Sequence, residues 1–164
     1  MQTKRLHLIF ISLISIWIGW TLIIDMIVVP SVFRTIHDFF NAGDLGIVLF
    51  SALNNFELFM ALVTLSILVY VFKKDKKVLP LLLLTSILVV IISFYFFYLT
   101  AHIAELTDAW KQTQLTGIYS IPGIGDIQQA HQSAHRIYVG LDVLKLLILS
   151  FVWGMTFFQE EKWK

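Results

Sequence analysis

The chain has no cysteine among its 164 residues. That excludes disulfides, thiolate-held metals, iron–sulfur clusters and haem attached through cysteine. Charge is scarce as well. Asp, Glu, Lys and Arg make up 14% of the residues, against about 25% in a soluble domain. The formal net charge of +1 implies no acidic partner, and without a basic stripe nothing points to nucleic acid. There is no P-loop, GxGxxG, GxSxG or HExxH signature. Lipidation and retention signals are missing too. No pair of broken spans or inverted repeat suggests a secondary transporter.

What remains is apolar. Hydrophobic residues reach 58% and mean hydropathy is +0.81, above the roughly 45–50% apolar content of soluble domains. Four segments approach or exceed the roughly 20 residues that a membrane crossing needs: 6–29, 45–72, 78–99 and 137–158. The third should run on to about residue 113, because no breaker precedes Gly117. The fourth should begin near residue 127, with Asp126 and Gln129 as a capping box. Lys4 and Arg5 before residues 6–30 resemble a signal peptide, but the stretch exceeds an h-region of about 7–15 residues and reads as a retained span. The expectation is an all-α integral membrane four-helix bundle, with residues 1–164 forming a single transmembrane domain.

Lys and Arg placement gives the orientation. Lys4 and Arg5, the lysines of KKDKK at 73–77, and Lys162 and Lys164 all fall at one end. The positive-inside rule puts that end, with both termini, in the cytoplasm of a bacterial inner (plasma) membrane. Between the first two spans, Phe33, Ile36, Phe39 and Phe40 recur at helical spacing. This predicts a short amphipathic helix in the interface, with Asp44 capping the second span. The second outward connection, 116–125, should be irregular. Trp110, Trp153 and Trp163 suit an interfacial belt, and Trp17 and Trp20 suit the core. Asn54 and Asn55 suit contacts between helices. His7 reads as an interfacial side chain.

The polar residues converge at the outward end. At 1.5 Å per residue, Glu57 lies about 22 Å from Phe72. Asp142, His135 and His131 lie about 24, 35 and 40 Å from Phe158. His102 lies about 36 Å from Val78, and Asp25 about 28 Å from Leu6. His131, His135, Tyr138, Asp142 and Lys145 are spaced by four, three, four and three, one stripe of a helix. His102 and Glu105 share a face of the third span. Ionisable groups at membrane depth are functional candidates by default.

This set supports three readings. The first is a metal-binding membrane protein with Cu, Zn or Fe held by His102, His131, His135, Glu105 and Glu57. His37, Asp25, Arg34 and Arg136 would be further ligands or supports, while Tyr138 and Asp142 orient the histidines or relay protons. The second is a quinone-linked oxidoreductase, or one with haem b between His102 and His131 or His135. The third is a non-catalytic accessory subunit, in which Asp142 and Lys145 form a buried pair and Arg34 or Arg136 neutralises Glu57 or Asp25. Partners are the lipid bilayer and a homo-oligomer or larger membrane complex.

At 33–57 (FRTIHDFFNAGDLGIVLFSALNNFE) and 135–146 (HRIYVGLDVLKL) the chain resembles small four-span proteins of the DUF4149 type, similar to transmembrane protein 205. His7, Phe33–Arg34 and His135 carry the resemblance, and Glu105 stands for the acidic element after the third span. It implies a four-span fold and a tie to metal tolerance. A further similarity is to copper-resistance membrane proteins with outward histidines.

Overall fold

The computed structural model describes residues 2–115 and 124–158. All regular structure among them is helical. Four long apolar helices are able to cross a membrane: Arg5–Thr35, Phe40–Phe72, Lys76–Gln114 and Asp126–Phe158. The first packs on the second, the second on the third, the third on the fourth, and the fourth back on the first. The result is a closed four-helix ring.

The first helix is continuous through Gln2–Ile23, a π-helical turn at Ile24–Val28 and Val29–Thr35. The wide turn comes just before Pro30, whose ring and missing N–H disturb the regular ladder. The expected interfacial helix does not form as a separate element. Phe33 ends up in the first helix and Phe40 in the second, with a break at residues 36–38. Asp38, not Asp44, caps the second helix: it is extended (φ −77°, ψ 115°) and accepts from the Asn41 N–H at 2.8 Å. Asp44 is used elsewhere, in an ion pair with Lys111 at 2.7 Å.

The third helix starts with a 3₁₀ turn, Lys76–Val78, capped by Asp75. It continues as Leu79–Phe94, a second π-helical turn at Tyr95–Leu99, and Thr100–Leu115. Its extension past the hydrophobic stretch matches the absence of a breaker. The fourth helix spans Ile124–Phe158, so Asp126 lies in its first turn and does not cap it. The connection expected at 116–125 falls mostly outside the described residues, as do Trp163, Lys162 and Lys164.

The exterior is apolar. Leu8, Ile16, Val48, Phe59, Val90, Phe97, Leu147 and Phe151 are all exposed, as expected where lipid is the solvent. Inside, the half toward the 73–77 lysines is dry. Phe10, Ile14, Leu68, Leu81, Leu88, Leu149 and Val152 form its core. His7 lies in this half but is buried, donating from Nε2 to the Thr156 carbonyl at 3.0 Å. It ties the ends of the first and fourth helices and is not an interfacial side chain. Trp17 is buried, whereas Trp20 is exposed against Phe56 and does not join the core.

Candidate functional site

Above this core the interior turns ionic. Lys145 of the fourth helix has no exposed surface. Its Nζ lies 2.8 Å from Oε1 and 3.0 Å from Oε2 of Glu57 on the second helix, which is equally buried. The same ammonium pairs with Asp142 one turn away. Glu57 Oε1 also accepts from Thr21 Oγ1 at 2.8 Å and from Trp17 Nε1 at 3.2 Å, both on the first helix. Four donor–acceptor contacts on one carboxylate compensate much of the cost of desolvating a charge at this depth.

Asp25 completes the cluster from the π-helical turn of the first helix. Its carboxyl lies near enough to Asp142, Lys145 and Glu57 to interact electrostatically with all three. Asp25 Oδ2 is buried without a hydrogen-bond partner among the described residues. Asp142 Oδ1 has the ammonium beside it as an ion-pair partner, but no well-directed donor. Three carboxyls thus face a single ammonium. Tyr95, which opens the π-helical turn of the third helix, lies against the same charges with its ring centroid 5.6 Å from Lys145 Nζ. Both wide turns therefore flank the cluster, and such turns recur at functional sites.

Polar groups continue from the cluster toward the opposite end. The Tyr95 and Tyr138 rings stack at 4.6 Å. Tyr138 donates to Asn54 Oδ1 at 3.4 Å, and Asn54 Nδ2 donates to Thr100 Oγ1 at 2.7 Å. Tyr138 and Thr100 then line a cavity of about 380 Å³ between the first, second, third and fourth helices. Phe33, Phe40, Phe50 and Trp110 give it aromatic walls, and His131 and His135 border it from the fourth helix. Its volume falls in the usual range of ligand sites, about 300–1,000 Å³.

The residues singled out in the sequence are distributed differently from the expectation. His131, His135 and Tyr138 do share one wall. His102 does not line the cavity but stacks on Tyr98 at 5.4 Å. Glu105 and His37 are exposed. Glu57 lies a full tier below the histidines, with Lys145. The expected grouping of His102, His131 and His135, with His37 as a further ligand, is thus not assembled. Among the described residues no three His, Asp or Glu side chains are placed to hold a metal ion. Equal depth on different helices did not mean a common face. Arg34 and Arg136 are exposed, and the cation that meets Glu57 is Lys145. Asn54 bridges helices, while Asn55 only returns to the Ser51 carbonyl.

Sequence reasoning missed Trp17 and Thr21 as partners of Glu57. The signal was present: Trp17, Thr21 and Asp25 recur every four residues, one face of the first helix.

Fold and site define a four-span helical membrane protein with a buried charge cluster beneath an aromatic cavity. The chain belongs to the DUF4149 family, a domain of unknown function, whose sequence profile matches residues 12–112. The match takes in Asp25 and Glu57 and stops short of Asp142 and Lys145. No curated protein and no solved structure matches the chain.

Proposed function

We propose that this membrane protein holds an exchangeable proton in its buried cluster and passes it to and from the aromatic cavity. The observation that carries this reading is Asp25, whose buried Oδ2 has no hydrogen-bond partner among the described residues, beside an Asp142 whose Oδ1 already meets the Lys145 ammonium. A buried carboxyl oxygen without a donor is costly to leave charged, and a proton relieves that cost. A proton also reduces the excess negative charge that three carboxyls bring against one ammonium in a low-dielectric setting. Tyr138, Asn54 and Thr100 supply the hydroxyl and amide groups between cluster and cavity. The dry core toward Lys73–Lys77 closes the other side. By the positive-inside rule that closed side faces the cytoplasm of a bacterial inner membrane, and the cavity opens outward.

Infrared spectroscopy of the protein in lipid tests the reading. A protonated-carboxyl C=O band at neutral pH is expected, sensitive to deuterium and lost or shifted in Asp25→Asn and Asp142→Asn. The exposed-site variant Glu105→Gln should leave it unchanged. Absence of any such band in the wild type contradicts the proposal.

A second reading rests on His131 and His135. They lie one turn apart and both line the cavity, and an i,i+4 pair can share one Cu, Zn or Fe ion. Water or a ligand in the cavity would complete the coordination. Elemental analysis of protein purified without chelator or histidine tag tests it. Stoichiometric metal lost in the His131→Ala/His135→Ala variant supports this reading, and metal-free protein that cannot be reloaded ends it.

A further inference from the structure

We infer that the cavity binds a neutral, membrane-soluble molecule with a planar ring head bearing hydrogen-bond-accepting oxygens, of the quinone class. The inference deepens the reading above by naming what would share the cavity with the proton path, but it rests on the cavity walls alone.

Charge comes first. Among the described residues no Lys, Arg, Asp or Glu lines the cavity. Lys111, the cation nearest in sequence to the Trp110 wall, is held by Asp44. A phosphate or carboxylate head would find no fixed countercharge, so it would lose its hydration without compensation. The head group is therefore neutral.

The walls say that it is flat. Phe33, Phe40, Phe50, Trp110 and Tyr138 come from all four helices. Phe40 meets Trp110 edge-on at 5.6 Å, and Phe50 meets Tyr138 at 5.0 Å. A planar ring fits between such faces with stacking and edge contacts. The polar groups are few and sit to one side. Tyr138 already donates to Asn54, and Thr107 to the Ile103 carbonyl. His131 and His135 remain as donors for ring oxygens.

Depth agrees. Tyr138 and His131 lie about 30 and 40 Å from Phe158 along the fourth helix, while the hydrocarbon core is about 30 Å thick. The cavity thus straddles the boundary where an amphipathic molecule places its polar head and leaves its tail in lipid. Gly43 and Gly46 line it and leave room for a larger side chain. A Cβ at Gly43 would meet nothing within 4 Å, and one at Gly46 would only touch Phe33, at 3.9 Å.

Trp110 provides the readout. Decylubiquinone, a short-tailed quinone and a quencher of indole fluorescence, is titrated into the protein in nanodiscs. Saturable quenching is expected, and Trp110→Phe should remove the saturable part. Gly43→Leu, which fills the cavity without a clash on its backbone, should weaken binding at least tenfold. Circular dichroism confirms that this variant is folded. His131→Ala/His135→Ala should weaken binding several-fold with the cavity intact. Quenching that does not saturate in the wild type, or is equal in Gly43→Leu, overturns the inference. So does a stoichiometric phosphate-headed lipid that co-purifies with the wild type and is missing from Gly43→Leu. The carboxyl band is read separately, so either proposal can fail alone.

Discussion

Lys145 is the residue on which the interior depends. It meets Glu57 and Asp142 with its own side chain fully buried. Removing one partner of a buried pair leaves the other charge uncompensated, at a cost of about 3–5 kcal/mol. Lys145→Met should therefore lower stability by about that much in denaturant unfolding of the detergent-solubilised protein. Adding Glu57→Gln to Lys145→Met should recover a large part of the loss. If Lys145→Met alone is as stable as wild type, the pairing has been misread. The residue scale also shows where sequence reading stops. The stripe from His131 to Lys145 was legible from spacing, and so was the depth of Glu57. Which cation would meet Glu57 was not. Lys145 matches the depth of Glu57, about 20 against about 22 Å, better than Arg136 or Arg34 does, but its i,i+3 spacing paired it with Asp142 alone, and helix rotation decides that it also meets Glu57.

At the scale of elements, the helices were legible and their ends less so. Hydrophobic runs located all four, and the lack of a breaker before Gly117 correctly extended the third. Residues 29–40 were misread because Phe33, Ile36, Phe39 and Phe40 keep helical spacing across a break between helices at 36–38. Periodicity records faces and does not register two extended residues between two helices. The cap marks the break: Asp38 accepts from the Asn41 N–H. Asp38→Ala should cost about 1 kcal/mol of stability, seen as a lower unfolding midpoint, with Asp38→Ser nearly neutral. An unchanged midpoint in Asp38→Ala would show that the second helix is held by packing alone. The π-helical turns at Ile24–Val28 and Tyr95–Leu99 had no sequence signal beyond Pro30, which follows the first. Asp25 lies in the first and Tyr95 opens the second, so both border the ionic cluster.

For the whole molecule, the closed ring divides the interior into tiers. A dry core lies toward the lysine-rich end, the ionic cluster above it, and the aromatic cavity at the far end. Composition made the membrane setting plain, and the count of spans followed. The tiers did not follow, because they depend on which face each helix turns inward. His102 shows this most clearly: it lies at the expected depth but is turned onto Tyr98 and away from the cavity wall. The tiers also imply a direction. Protons should reach the cluster through the cavity and not through the core.

Time-resolved deuterium exchange of the protonated-carboxyl infrared band, in lipid-reconstituted wild type and Gly43→Leu, tests this most directly. The band is expected to shift promptly in the wild type, to be lost or shifted in Asp25→Asn, and to exchange markedly more slowly in Gly43→Leu. A band that exchanges equally fast in Gly43→Leu, or no protonated carboxyl at all, would contradict it.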